Sequence, residues 1–178
     1  MSDSRINNIL EREKAGGDVT IQGWLRSARH SKGFSFLSLN DGSCLATIQA
    51  VVDAGLANYD DDVKPLLTGA AVRITGELVD SPGKGQKFEI QAKSIEVVGH
   101  SSDDYPLQKK RHGFEFLRTI AHLRPRTNTF GAIFRIRHEV SRAIHDFFHE
   151  RGFLHLHSPI ITASDCEGAG EMFRVSTL

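Results

Sequence analysis

Gly33-Phe34-Ser35-Phe36-Leu37-Ser38-Leu39-Asn40-Asp41-Gly42 is the stretch on which the fold turns. Aromatic and aliphatic residues run into Asn-Asp-Gly, and Asp-Gly after a strand is a strong hairpin signal. Ahead of it, Val19, Ile21, Gly23 and Leu25 alternate with Thr20, Gln22, Trp24 and Arg26, the pattern of a half-buried strand. Behind it a third strand is expected through Leu45, Thr47 and Gln49 to Val52. Two more are expected over 70–79 and 87–98, joined by the turn Ser81-Pro82-Gly83-Lys84-Gly85.

Between the third and fourth strands, residues 54–67 read as a helix. Asp60, Asp61 and Asp62 would lie on its exposed side, and Pro65 would damage its end. Five strands with a helix in that position is the order of an OB-fold, a Greek-key barrel that often binds oligonucleotides.

The rest of the 178-residue chain differs in composition. Its formal net charge of +0 hides a split: residues 1–105 hold 11 Lys+Arg against 15 Asp+Glu, and residues 106–178 hold 11 against 7. Seven of the nine histidines lie in the second part and eleven of the sixteen glycines in the first. Two units are implied, the second carrying the basic surface. Residues 99–106 form a polar linker, and 107–123 is basic and helical in part, ending at Arg124-Pro125. Thr127 or Asn128 can cap the next helix, where Phe130, Ile133, Phe134, Val140, Ile144, Phe147 and Phe148 recur at spacings of three and four. Arg151-Gly152 ends it, and a strand is expected over 153–161, with Pro159 marking it as an edge or interface element.

Charged residues at 25% and hydrophobic residues at 39% exclude a disordered or fibrous chain. No apolar run approaches the ~20 residues of a membrane span, and Met-Ser-Asp-Ser-Arg lacks a signal peptide's apolar core. Two distant cysteines, Cys44 and Cys166, suggest a reducing compartment, so the expectation is a cytoplasmic protein.

Arg26, Arg29 and Lys32 lie beside Phe34 and Phe36. Cations that meet phosphates next to rings that stack on bases make a single-strand nucleic-acid platform; the reading that the residues alone favour is that two phenylalanines of one strand parity are barrel core. Gly83-Lys84-Gly85-Gln86-Lys87 has the glycines and lysines of a phosphate loop but not its strand-then-helix setting, and reads as a turn. His145 and His149 share a helix face, and His155 and His157 a strand face, without a third ligand at metal-binding spacing. Asp165, Glu167 and Glu171 form an acidic loop, either a solvated turn or a receiver for a substrate ammonium.

Together these residues resemble a known family. Gly23-Trp24-Leu25-Arg26, Phe36 in Phe-Leu-Ser-Leu-Asn-Asp-Gly-Ser, and Gln49 resemble the anticodon-binding OB domain of class IIb aminoacyl-tRNA synthetases. His122-Leu123-Arg124-Pro125-Arg126-Thr127 is similar to the segment leading into their catalytic domain. The amphipathic helix with Gly152-Phe153-Leu154 and Ser158-Pro159-Ile160-Ile161 resembles their motif 1. The loop from Thr162 through Asp165-Cys166-Glu167-Gly168-Ala169-Gly170-Glu171 to Phe173 is similar to the bacterial asparaginyl branch; the aspartyl and lysyl branches write it differently.

The resemblance implies an OB-fold barrel at 1–100, a linker or hinge at 101–127, and the start of an α+β class II catalytic domain at 128–178. Phe36 would stack on an anticodon base, Gln49 would hydrogen-bond its edge, and Arg29 would hold the anticodon strand. Glu167 would receive the amino acid's α-ammonium, and Pro159 would line a homodimer interface. The implied partners are tRNA and asparagine, with ATP and Mg²⁺ serving the complete ligase. The family's motif 2, Phe-Arg-x-Glu, and the motif 3 arginine are absent from these residues, so no catalytic residue is expected in this chain, and the chain reads as the truncated N-terminal portion of a synthetase. Two other classes stay open: a free-standing OB-fold nucleic-acid-binding module, and a catalytically dead paralogue acting through interactions.

Overall fold

In the computed structural model, residues 5–83, 85–161, 173 and 175–176 are described. The chain divides into two compact units, Met1–Phe134 and Arg135–Leu178. The first begins with helix α1 (Ile6–Leu10), followed by strands β1 (Asp18–His30), β2 (Phe34–Asn40), β3 (Ile48–Asp53), β4 (Ala71–Asp80) and β5 (Phe88–Gly99). They close into a barrel in the order β1-β2-β3-β5-β4, which leaves no strand edge open. The β3–β5 pairing is parallel and the others antiparallel.

Strand parity sorts the side chains. Val19, Ile21 and Leu25 of β1, Ser35, Leu37 and Leu39 of β2, and Ile48, Ala50 and Val52 of β3 point into the barrel and are buried. Val72, Ile74 and Leu78 meet them from β4, and Phe88, Ile90 and Ile95 from β5. The third strand starts later than its sequence suggested: Leu45 is exposed and lies in the loop before Ile48. At Gly76 the backbone of β5 comes so close that a Cβ would stand 2.2 Å from the Gln91 carbonyl oxygen. A register shift falls at the same place, between Thr75 and Gly76.

The helix expected over 54–67 is reduced to a five-residue π-helical turn, Tyr59–Val63, flanked by tight turns. Two stops work against a longer helix: Pro65 cannot donate a backbone hydrogen bond, and Gly55 accepts a place in an Asx turn, its N–H donating to Asp53 Oδ1 at 2.7 Å. What the segment still does is plug the barrel with Tyr59, Val63 and Leu66.

Asn40-Asp41-Gly42 does not form a two-residue hairpin turn. The Asp41 carboxylate instead accepts from the Ile6 N–H at 2.9 Å and from the Ser43 N–H and hydroxyl at 2.9 and 2.6 Å. It thereby pins α1, whose Ile6 and Ile9 are fully buried in the barrel core. Burial pushes the Asp41 carboxyl up, but these hydrogen bonds outweigh it and hold the group below the usual carboxylate range.

Beyond β5, α2 (Phe114–Thr119) and a 3₁₀ turn (Arg124–Arg126) build a second small core from Leu107, Leu117 and Phe130. Arg126 lies over the Trp24 ring with its guanidinium carbon 4.3 Å from the centroid, and it donates to the Tyr105 hydroxyl at 3.2 Å. The Arg26 guanidinium donates to the Arg126 carbonyl oxygen and to Asn128 Oδ1.

Helix α3 (Asn128–His149) is capped by Thr127, whose hydroxyl oxygen accepts from the Phe130 N–H at 3.3 Å. Gly152, at φ +82°, closes its far end, where the Phe153 N–H donates to the Phe148 carbonyl at 3.1 Å. In the second unit Val140, Ile144, Phe147 and Phe148 are exposed along the helix. The strand expected over 153–161 does not form: among the described residues these carry no strand pairing. A strand is held by a neighbouring strand's backbone, whereas the ring contacts of this segment are with side chains of α3: Phe153 meets Phe148 and His155 meets His145. Among the described residues, no helix is long and apolar enough to cross a membrane.

Candidate nucleic-acid interface

The outer face of β1, β2 and β3 is set by one irregularity. Leu25 pairs with Leu39 but Ser27 pairs with Ser38, so Arg26 is an extra residue, a β-bulge. Strict alternation from Val19 would have turned Arg29 inward with Leu25. After the bulge the parity reverses, Ala28 packs against the core, and Arg29 stands outward directly opposite Phe36.

The rows on this face follow from register. Arg29, Phe36 and Val51 are aligned across β1, β2 and β3. In the next row Ser27, Ser38, Gln49 and Glu89 are aligned across β1, β2, β3 and β5. Phe34 faces the same way, opposite Asp53. The structure therefore brings Arg29, Phe36 and Gln49 onto one face in adjoining rows. The Arg29 guanidinium carbon lies 5.4 Å from the Phe36 centroid, within cation–π range. The Phe34 and Phe36 rings meet edge to face, 5.0 Å apart at 76°.

The possibility that these two phenylalanines are barrel core is overturned. Phe34 is 40% exposed and Phe36 partly exposed, whereas Ser35 between them is fully buried. Its hydroxyl is pinned by the Tyr59 hydroxyl at 2.6 Å and His30 Nδ1 at 2.8 Å. Arg26 leaves the cationic cluster altogether, since the bulge sends it to residues 126 and 128. Lys32 is exposed in the β1–β2 loop.

Glu89 escaped the sequence reading. It points away from the barrel core, yet it is only 5% exposed, with Ser81 and Gln86 hydrogen-bonded over it. Its Oε2 accepts from Ser81 Oγ at 3.2 Å and from Gln86 Nε2 and Gln49 Nε2 at 3.4 Å; Oε1 accepts from Gln91 Nε2 at 3.0 Å. Among the described residues no cation pairs with it. A carboxylate held only by neutral donors can accept further hydrogen bonds from a base edge, and it orients the Gln49 amide beside it. The available signal was a carboxylate flanked by two apolar residues, Phe88 and Ile90.

Elsewhere in the first unit a cavity of about 630 Å³ is lined by Trp24, Tyr105, Lys109, Arg111, Phe114 and Arg126, among others. In the second unit the His145 and His155 rings lie 4.7 Å apart. Pro159 is exposed in the unpaired segment 153–161, and Glu167 lies outside the described residues.

A closed five-stranded barrel with cation, aromatic ring and amide on one face, followed by a long capped helix, defines a class. Residues 19–98 match the OB-fold nucleic acid binding domain family, and residues 113–178 match the class II tRNA synthetases (D, K and N). From residue 113 onward the chain is thus similar to the class II tRNA synthetases.

Within that family it is similar to asparagine–tRNA ligases. It is 58% identical to that of Geobacter metallireducens over 174 residues, covering 98% of this chain and 38% of the relative. With that of Bacteroides fragilis it shares 55% identity over 179 residues, covering 100% of this chain and 38% of the relative. The chain thus spans 38% of the length of these curated relatives. Its fold is that of asparaginyl-tRNA synthetase from Pyrococcus horikoshii complexed with asparaginyl-adenylate, with a TM-score of 0.79, 21% identity, and coverage of 95% of this chain and 39% of that one. It also matches the fold of aspartyl tRNA synthetase from Entamoeba histolytica, with a TM-score of 0.73, 20% identity, and coverage of 92% and 40%.

Proposed function

We propose that this chain provides the anticodon-reading barrel and the opening of the catalytic domain of an asparagine–tRNA ligase. The observation that carries this reading is the outward row of Arg29 and Phe36 beside Gln49 and the buried Glu89 carboxylate. Phe36 stacks on a splayed anticodon base, Gln49 hydrogen-bonds that base's edge, and Arg29 holds the backbone of the same strand. These are the three contacts that single-stranded RNA recognition needs: a π-face, an edge and a cation.

In the complete ligase, asparagine and ATP form asparaginyl-adenylate and pyrophosphate, and a ribose hydroxyl at the tRNA terminus then attacks the adenylate carbonyl, releasing AMP. Glu167 receives the asparagine ammonium in this scheme, and Pro159 lines a homodimer interface. The working division is a barrel at 1–100, a joint at 101–127, and the start of the catalytic domain at 128–178, in a cytoplasmic enzyme. ATP and Mg²⁺ serve the complete ligase. Residues 1–178 contain no Phe-Arg-x-Glu, and the phosphoryl chemistry is assigned to that motif and the motif 3 arginine.

Titration of the chain against an RNA stem-loop carrying an asparagine anticodon tests the reading. Binding that weakens when the anticodon is scrambled is the expected result; equal affinity for both loops overturns it. Asparagine-dependent ATP–pyrophosphate exchange by residues 1–178 alone is expected to be absent, and exchange above a no-enzyme control overturns the assignment of that chemistry to motifs beyond these residues.

A further inference from the structure

Phe34 is a large aromatic side chain, 40% exposed, on a strand paired on both sides in a closed barrel. A single exposed apolar residue is ordinary, but this one adjoins a cation-flanked ring: Phe34 meets Phe36 edge to face at 5.0 Å, and Arg29 lies over Phe36. The two residues are two positions apart on β2, about 6.8 Å along the backbone, and their rings lean together to 5.0 Å. Even 5.0 Å exceeds the roughly 3.4 Å spacing of stacked bases, so the rings serve two successive bases only if these are unstacked from each other.

The surroundings choose the ligand chemistry. Asp53 lies directly across from Phe34 and already accepts from the Gly55 N–H, so its negative charge repels a phosphate at this position. The face of an uncharged base meets no such penalty. Lys32, exposed in the preceding loop, is the cation available to the adjoining backbone.

We propose that Phe34 is a second stacking platform, taking the unpaired base next to the one on Phe36. This rests on the reading of Phe36 as an anticodon stack. The 76° angle between the rings sets the two bases nearly perpendicular, so the RNA strand turns sharply between them.

The test is a double-mutant cycle with the full chain. Phe34→Ala, Phe36→Ala and the unaltered protein are titrated against the asparagine anticodon stem-loop and against loops made abasic at one nucleotide at a time. Phe34→Ala is expected to weaken binding about 5-fold or more. That loss is expected to vanish against one abasic loop, the neighbour of the nucleotide coupled to Phe36. Should Phe34→Ala unfold, Phe34→Leu keeps apolar bulk without an aromatic face, and the same loss is expected there with the melt unchanged. Unchanged affinity in Phe34→Ala or Phe34→Leu overturns the proposal, as does a loss that adds in full to every abasic change, which would mean that Phe34 only steadies Phe36. Loss in Phe36→Ala with none in Phe34→Ala overturns this proposal alone. No binding by the unaltered chain overturns the anticodon reading and this proposal with it.

Discussion

Arg29 and Phe36 face each other across the β1–β2 ladder, guanidinium over ring at 5.4 Å. Directly opposed side chains of an antiparallel pair are in reach of each other, and a guanidinium is weakly hydrated enough to lie on an aromatic face. The cation and the ring therefore form one preorganised unit, and a base and its phosphate meet both together.

Phe36→Ala separates binding from folding. A ring outside the core leaves no cavity, so stem-loop affinity should fall by about 1–3 kcal/mol while stability changes little. Leu37→Ala, one residue along and fully buried, should cost about 2–5 kcal/mol of folding free energy. Denaturant melts and RNA titrations on both variants give the comparison; a large loss of stability in Phe36→Ala contradicts the outward placement.

Arg29→Gln should appear in the salt dependence. Each phosphate neutralised on a single strand contributes about 0.7 to the slope of log affinity against log salt. The variant is expected to flatten that slope by about this amount, with titrations at three or more salt concentrations as the measurement. An unchanged slope removes Arg29 from the backbone contacts.

Asp41 governs the acid side of stability. Its folded carboxyl is held below the ordinary value, so its contribution is present above the unfolded-state pKa, near 3.8–3.9, and is lost as pH falls through the lower folded value. Asp41→Asn is expected to cost about 1 kcal/mol at pH 7, in the range of a lost helix cap, and to make stability less steep below pH 4. Urea melts from pH 7 downward, run on both proteins, check it; parallel curves rule it out.

Gly76→Ala places a methyl group 2.2 Å from the Gln91 carbonyl oxygen, where only backbone can yield. Overpacking of this kind costs about 1–3 kcal/mol, and a β4–β5 ladder forced apart would cost more. Thermal melts should show a clear drop, whereas Gly85→Ala is strained by its φ of +92° but clashes with nothing.

Trp24→Ala should loosen the segment after β5 rather than the barrel. Arg126 is held by the Trp24 ring and the Tyr105 hydroxyl. Amide hydrogen exchange is expected to rise over 114–126 while β2 and β3 keep their protection. Uniform deprotection of both regions would show that the ring instead supports the barrel as a whole.

The sequence by itself determined what depends on local periodicity and local chemistry. Alternation in Val19–Leu25, the apolar run at Phe34–Leu39 and the turn residues at 81–85 specify strands, and spacings of three and four with Thr127 ahead and Gly152 behind specify α3. The outward parity of Phe36 and Gln49 is legible as well, once Leu37, Leu39 and Ile48 are taken as core. Tertiary structure decided the rest, because the deciding partners are distant in sequence. The bulge at Arg26 exists only in the pairing of β1 with β2, and it turns Arg29 from the core side to the ring of Phe36. Residues 54–67 carry a helical pattern, but barrel closure rewards only Tyr59, Val63 and Leu66, so a short turn suffices. Asp41 reads as a hairpin residue until Ile6, 35 positions away, needs an acceptor. Nothing beside Glu89 in the chain marks it as buried; Ser81 and Gln86, which the fold brings over it, do that. A side chain's own preferences are written in its neighbours along the chain; its burial and its partners are set by what the fold brings to it.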